Sequence, residues 1–327
     1  MNEVKHMELS IVIPMYKSEK TIKNVIDEIN LELERVGLMD YEVVIVNDCS
    51  PDDALEIVKL MAKNDKRIKI IDLAKNSGQA AALMAGYKFA AGDYIVNMDD
   101  DFQHPAEEIW NMLGYLKSND LDVVFANYLQ KKQSKFRLIG SYINYIMTEF
   151  MTDKPKGIKT NSFFIMRRFV CREIIQYNIR SPYIYGIIFA ATSKIGNINI
   201  NHRVRLEGVS NYSLLRLLSL WFSGFISFSI KPIRVFTLLG FVLAVIAIIT
   251  AILTAILRLL EPDVAPLGWT SVIVAILFFS GVQLISIGLL GEYLGRLYIT
   301  NSKLPTAVIR ETYNIINLND CEEVGDE

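Results

Sequence analysis

The chain has 327 residues, which at roughly 150 per domain is room for about two structural units and a real core. Hydrophobic residues make up 51% and charged ones 21%, too apolar for an ordinary soluble enzyme and too charged for a chain embedded throughout. The net charge of −2 argues against a protein held to nucleic acid by phosphate neutralisation, and the dispersed Cys49, Cys171 and Cys321 form neither a disulfide framework nor a structural zinc site.

In chain order, Leu9–Ile13, Tyr41–Val46, Ile68–Asp72, Tyr94–Met98 and Asp122–Ala126 read as buried strands. Helical spacing over Glu19–Arg35, Asp53–Asn64 and Gln79–Ala90 separates them, with Ser50-Pro51-Asp52-Asp53 as a cap before the second helix. This is the rhythm of βαβ units, and it predicts a parallel sheet covered by helices on both faces. Ligands of such sheets sit beyond the carboxyl ends of the strands, so the residues after each strand are where chemistry is expected. After the first come Tyr16 and Glu19, suited to stacking on a base and hydrogen-bonding a ribose. After the second comes Asp48, which either accepts from a nucleobase N–H or caps a helix. After the third, Lys75-Asn76-Ser77-Gly78-Gln79 opens a helix with small residues that let backbone amides approach an anion. No GxGxxG or GxxxxGK[ST] is present, so neither a dinucleotide fingerprint nor a P-loop is indicated.

The fourth strand runs into Asp99-Asp100-Asp101-Phe102-Gln103-His104-Pro105. Three adjacent carboxylates repel one another unless a cation or a set of donors compensates. In an extended segment Asp99 and Asp101 point to the same side, so one can reach a ribose or a metal-bound water while the other holds Mg2+ or Mn2+ against the phosphates of a nucleotide. A solvated acidic turn is the bland alternative.

Further along, the uncharged run Val235–Leu257 spans about 34 Å as a helix, enough to cross a bilayer, and Leu267–Gly291 is a second such run. The short Arg258–Pro266 link makes them a hairpin. Cations cluster before the first span (Arg205, Arg216, Lys231, Arg234) and after the second (Arg296, Lys303, Arg310), which predicts both termini on the cytosolic side. Ser213–Ile230, with Arg216 and Trp221, reads as an interfacial helix. No signal peptide is expected, because the first apolar segment, Leu9–Met15, is short and holds Pro14.

IVIPMYKSE, VNDCSPD, NSGQAAALMAG and MDDDFQHPAEE, in that order and followed by GLLGEYLGRLY, resemble the signatures of the membrane-anchored family 2 glycosyltransferases that charge a polyprenyl phosphate with a sugar. Bactoprenol glucosyltransferases, undecaprenyl-phosphate aminoarabinose transferase and dolichyl-phosphate mannose synthase belong to that family. The resemblance implies a GT-A nucleotide-sugar-binding fold, mostly parallel sheet flanked by helices, over residues 1–212. An interfacial amphipathic helix at 213–232, two transmembrane helices within 233–299 (about 235–257 and 267–291) and a cytosolic tail at 300–327 follow. It assigns Pro14, Tyr16, Glu19, Asp48, Asn76, Gly78, Asp99, Asp100 and Gln103 to the nucleotide sugar, and Asp99 and Asp101 to a Mg2+ or Mn2+ ion. Arg137, Ser141, Arg205, Ser210 and Tyr212 would bind the acceptor phosphate, and Asp101, Arg205 and Arg137 would be the catalytic set.

The implied activity is inverting transfer from a nucleotide sugar to undecaprenyl or another polyprenyl phosphate, at the cytosolic face of a bacterial inner membrane. Membrane lipid is a partner, nucleic acid is not, and a homo-oligomer, a tetramer by resemblance, is implied. The chain departs from the pattern with Lys17 in place of Asn, Asn211 in place of Lys, and Thr160–Phe164 where many relatives carry an acidic residue and an Arg. The alternatives are a processive polysaccharide synthase, for which the QxxRW pattern is missing before Trp110, Trp221 and Trp269, and a non-catalytic nucleotide-binding scaffold, against which the intact triplet argues.

Overall fold

The computed structural model describes residues 7–128, 155, 157–177, 183–200, 268–301 and 305–315, with scattered positions between 238 and 256. The chain divides into two compact units, Met1–Asn211 with Lys303–Glu327, and Tyr212–Ser302.

In the first unit, β1 (Leu9–Met15), β2 (Tyr41–Asn47), β3 (Ile68–Leu73) and β4 (Tyr94–Asn97) are separated by α1 (Ile22–Arg35), α2 (Ala54–Asn64) and α3 (Gln79–Phe89). Then come α4 (Glu107–Ser118), β5 (Val123–Tyr128), β6 (Phe164–Arg167), α5 (Arg168–Gln176), α6 (Ile184–Ala191) and β7 (Ile195–Ile200). One eight-stranded sheet results, in the order β7-β5-β6-β4-β1-β2-β3-β8, where β8 is Ile309–Tyr313. The pairings β4–β1–β2–β3 are parallel, as the βαβ rhythm predicts. The sheet as a whole is mixed, because β6 runs antiparallel to β4 and β5, and β8 runs antiparallel to β3.

Strand parity sorts the core into two layers. Ile11, Ile13, Val43, Ile45, Ile70 and Val96 face α1, α2 and α4, whereas Val12, Val44, Val46, Ile71 and Ile95 face α3, α5 and α6. Such near-continuous apolar runs are what strands buried on both faces require. Helix α3 packs close against the sheet at Gly86, where a Cβ would lie 2.5 Å from Val12 Cγ1 and 2.9 Å from Val46 Cγ2.

In the second unit α7 (Trp269–Asn301) runs for 33 residues, about 50 Å. Its stretch Phe278–Gly295 is long and apolar enough to cross a membrane, and none of it is buried. A helix apolar all round yet exposed is not a soluble core helix. The described residues between Leu238 and Ile256 are helical and exposed, among them Phe241, Val245 and Ile249. The interfacial helix expected at 213–232 lies outside the described residues.

Candidate active site

The strands β1, β2 and β3 progress in one direction and β4 is added on the other side of β1, so the connectivity reverses between β1 and β4. At such a switch point the loops after the two strands diverge and leave a crevice. The β1–β4 pairing ends at Val12 opposite Asn97, and by strand alternation the N–H that Pro14 lacks would face that side, so the proline costs the ladder no rung.

All four loops beyond these strands contain a left-handed residue: Lys17 (φ 59°), Cys49 (φ 55°), Gly78 (φ 88°) and Phe102 (φ 62°). Glycine adopts that conformation at little cost, but each of the other three costs of order 1–3 kcal/mol, and such strain collects where a structure must aim particular groups. Here it aims them at one another.

The middle carboxylate of the triplet, Asp100, turns towards the β1–α1 loop. Its Oδ2 accepts from the Tyr16 N–H (3.0 Å) and the Ser18 hydroxyl (2.5 Å). Burial pushes its pKa up to about 6, against the opposing pull of those two donors and with help from the charges of Asp99 and Asp101. Asp99 is gripped on both oxygens, by Gln79 Nε2 (2.8 Å) and the Ser162 hydroxyl (2.6 Å). Its backbone N–H donates to Nδ1 of His104 (3.1 Å), a buried ring stacked on Phe163 at 4.8 Å. That bond places the proton of a neutral His104 on Nε2, facing Ser162 Oγ at 3.4 Å and Asp99 Oδ2 at 3.5 Å. Asp101 accepts the Gln103 N–H at 3.2 Å.

Asp48, only 4% exposed, does not cap the helix that follows it. Its two oxygens accept the N–H groups of Ser77 (2.6 Å) and Gly78 (2.8 Å), fixing the loop that leads into α3. The cap expected from Ser50–Asp53 is also differently used. Asp53 sits at the N-cap without a side-chain cap bond, while Ser50 Oγ accepts from Lys17 N–H (2.7 Å) and Asp52 Oδ2 from Glu19 N–H (3.0 Å). Ser50 in turn donates to Asp52 Oδ1 (2.5 Å). The loops after β1 and β2 are thereby latched together. For Asp52, burial raises the pKa but the hydrogen bonds from Ser50 and from backbone N–H groups outweigh it, and the net shift is downward.

Tyr16 is 44% exposed and Glu19 lies beside it, its Oε2 3.5 Å from Asp53 N. Asn76 and Gly78 are exposed and Gln103 is half-buried at the same strand ends. Phe164 occupies a different place: it is buried in β6 against Phe125 (5.2 Å), so the residue standing in for the expected Arg belongs to the core. Its neighbour Ser162 faces the triplet instead, and its carbonyl accepts from Asn97 Nδ2 (2.6 Å). Arg137, Ser141, Arg205, Ser210 and Tyr212 lie outside the described residues. Ser18, Gln79, Ser162 and the Ser50–Asp52 latch were not expected as site residues.

Among the described residues no group of three or more His, Cys, Asp or Glu is arranged to hold a metal ion. Two hard carboxylates, Asp99 and Asp101, suit an ion such as Mg2+ that keeps several waters and completes its shell with substrate phosphates.

A mostly parallel sheet with this switch point, its strand ends lined by carboxylates, defines an α/β protein of the open-sheet kind, and its class follows from comparison. The model of glycosyl transferase family 2 matches residues 10–175, and the chain belongs to that family. Residues 231–297 match the GtrB C-terminal hairpin. Relatives include the uncharacterized glycosyltransferase YkcC of Bacillus subtilis, 31% identical with 96% of each chain covered. Another is the undecaprenyl-phosphate 4-deoxy-4-formamido-L-arabinose transferase of Yersinia pestis, 30% identical with 89% of each covered. Among solved structures, S. aureus TarS 1-349 in complex with UDP-GlcNAc aligns at TM-score 0.47 and 21% identity, covering 63% of this chain and 62% of that one. Glucosyl-3-phosphoglycerate synthase of Mycobacterium tuberculosis aligns at 0.48 and 19%, covering 65% and 74%. The protein is thus a family 2 glycosyltransferase related to undecaprenyl-phosphate sugar transferases, with a C-terminal segment similar to the GtrB hairpin.

Proposed function

We propose that the protein transfers a sugar from a nucleotide sugar, a UDP-sugar such as UDP-glucose, UDP-N-acetylglucosamine or a modified aminosugar, to undecaprenyl or another polyprenyl phosphate at the cytosolic face of the membrane. The observation that carries this is that Asp100 ties the loop of Tyr16 to the acidic triplet at the β1–β4 switch point, while Gln79, next to the Ser77 and Gly78 amides held by Asp48, donates to Asp99, in a chain that also holds an exposed apolar helix. Tyr16 offers a ring face to the base, and Asp48 has lone pairs left for a base N–H after taking two amides. Asp99 and Asp101 would hold Mg2+ or Mn2+, which when bound neutralises charge on the diphosphate.

The acceptor needs little activation. A phosphate monoester has a second pKa near 6, so it is mostly dianionic at pH 7 and already nucleophilic. Its oxygen attacks the anomeric carbon as the bond to the nucleoside diphosphate breaks, inverting the centre, and no strongly tuned base is required. Arg137 and Arg205 are assigned to positioning that phosphate and reducing its repulsion with the donor.

The pairing of β8 with β3 supports an even number of crossings. Strands before and after the apolar segment share one sheet, which fits a segment that leaves and returns on the same side. Two spans with both termini cytosolic satisfy this, in agreement with the distribution of Lys and Arg. The test is to incubate the purified protein with Mg2+ or Mn2+, a panel of UDP-sugars and a short polyprenyl phosphate. Lipid-linked sugar from one donor, lost in Asp101→Ala, is expected. Absence of product from every donor, or an Asp101→Ala variant as active as wild type, overturns the proposal.

A further inference from the structure

We infer that Arg310, carried by the strand that follows the apolar hairpin, is a positioning residue for the donor site, holding in place two of its loops, those after β2 and β3. The inference rests on the donor-binding reading above. Strand β8 is short and mostly exposed, and its register with β3 is interrupted: Asp72 pairs with Glu311 but Leu73 pairs with Ile309, so Arg310 is the extra residue of a bulge. Bulges re-aim a side chain, and here the guanidinium reaches the end of β3. It donates to the Ala74 carbonyl (3.0 Å) and lies 3.6 Å from Oδ2 of Asp72, a carboxylate 2% exposed.

Both contacts lead into the site. Ala74, whose N–H also donates to the Val308 carbonyl (2.8 Å), begins the loop whose Ser77 and Gly78 amides bind Asp48. Asp72 accepts from Asn47 Nδ2 (2.7 Å), and Asn47 Oδ1 accepts the N–H of Ser50, the residue that latches the β1–α1 loop through Lys17. One side chain therefore bears on the loops after β2 and β3 together. The strand has a separate anchor at its far end. There Asn314 Nδ2 donates to the carbonyls of Ala62 (2.7 Å) and Ile68 (2.9 Å), and Lys59 Nζ lies 4.9 Å from the centre of the Tyr313 ring. Retention of β8 and aiming of Arg310 are thus separable. The Arg310 side chain is 55% exposed, so solvent screens its attraction to the buried Asp72, and the bulge is better explained by where it sends the guanidinium.

The test uses the full-length protein in nanodiscs, with UDP and Mg2+ as the probe in calorimetric titrations. Arg310→Gln is expected to raise the Kd for UDP about three- to tenfold, the value of losing one or two hydrogen bonds that hold a loop. The donor KM should rise in parallel while kcat at saturating donor is unchanged, and Arg310→Lys should recover part of the affinity. Lys59→Met, which loosens only the far end of β8, should leave the Kd at the wild-type value. An Arg310→Gln variant with wild-type Kd and KM, or a Lys59→Met variant as impaired as Arg310→Gln, overturns the positioning role. Wild-type protein that binds no UDP would instead bring down the donor-binding reading itself.

Discussion

Asparagine at position 100 should stabilise the protein at neutral pH. Asp100 is ionised at pH 8 although its folded-state pKa is raised from 3.8 to about 6, chiefly by burial. A rise of about two units disfavours the charged form in the fold by about 3 kcal/mol relative to the unfolded chain. The sign follows directly. Because the folded pKa is above the unfolded one, wild-type stability from this group is full below about pH 4, is lost as pH climbs towards 6 and stays low above that. Asparagine is a stand-in for the protonated acid: Tyr16 N–H and Ser18 Oγ–H both converge on Oδ2, and one amide oxygen in that place accepts both. Asp100→Asn should therefore gain up to about 3 kcal/mol at pH 8, a rise of several degrees in apparent Tm. The gain should shrink on descent through pH 6 and vanish near pH 4. Thermal unfolding of the two proteins in detergent with a chelator, from pH 4 to 8, measures this. An Asp100→Asn protein less stable than wild type at pH 8, or a difference that does not change with pH, would refute the reasoning.

At the Ser50–Asp52 latch, Asp52→Ala removes acceptors for Glu19 N–H and Ser50 Oγ–H, and should raise the donor KM severalfold with kcat largely kept, read by initial rates. Because the Asp52 pKa is lowered, the latch contributes above the ordinary carboxylate range and weakens as pH falls through it; donor affinity in wild type should drop there more than in Asp52→Ala. Gly86→Val drives carbon into Val12 and Val46 and should cost about 1–3 kcal/mol by overpacking, seen as a lower Tm with the donor KM unchanged. On the opposite end of the sheet, Glu42 is fully buried, accepts from Ser10 Oγ (2.6 Å) and Ala91 N–H (2.6 Å), and pairs with Lys69. Lys69→Met should cost about 3 kcal/mol by leaving that carboxylate uncompensated, and Glu42→Gln in the same chain should recover part of it, a coupling that a double-mutant cycle of unfolding free energies reads.

The parts of the fold legible in the sequence are those with strong local periodicity. Strands β1 to β5 and helices α1 to α3 lie within a few residues of their expected bounds, because each strand is an apolar run closed by polar residues. The Ser18 carbonyl accepts from both Thr21 and Ile22 N–H, so a turn precedes α1 and the helix starts at Ile22 instead of Glu19. Strands β6, β7 and β8 carry weaker signals. Phe164–Arg167 is four residues long, Ile195–Ile200 alternates with Gly and Asn, and Ile309–Tyr313 is mostly exposed at an edge. What makes β8 a strand is β3, more than two hundred residues earlier in the chain, and no local pattern encodes that partner.

The site divides along the same line. Tyr16, Asp48 and the acidic triplet stand immediately after strands and could be read from position alone. Their partners could not: Gln79 looks like an ordinary first helical residue and Ser162 like loop, until the fold brings both to Asp99. The triplet also has a different logic from the one its repulsion suggests. A cation is one answer to three adjacent carboxylates, but the chain separates them before any ion binds. Asp100 is turned towards the β1–α1 loop and biased towards its neutral form, Asp99 is held by a hydroxyl and an amide, and Asp101 takes the Gln103 N–H. The middle carboxylate thus ties the loop after β1 to the end of β4 at the switch point, and the outer two are the pair proposed to meet a metal and a diphosphate. An Asp99→Asn change should accordingly disturb more than charge, since one of its two donors, Gln79 Nε2 or Ser162 Oγ, would then face an amide NH2. Donor affinity should fall further in Asp99→Asn than in Asp100→Asn, and equal losses in UDP titrations would contradict this division of roles.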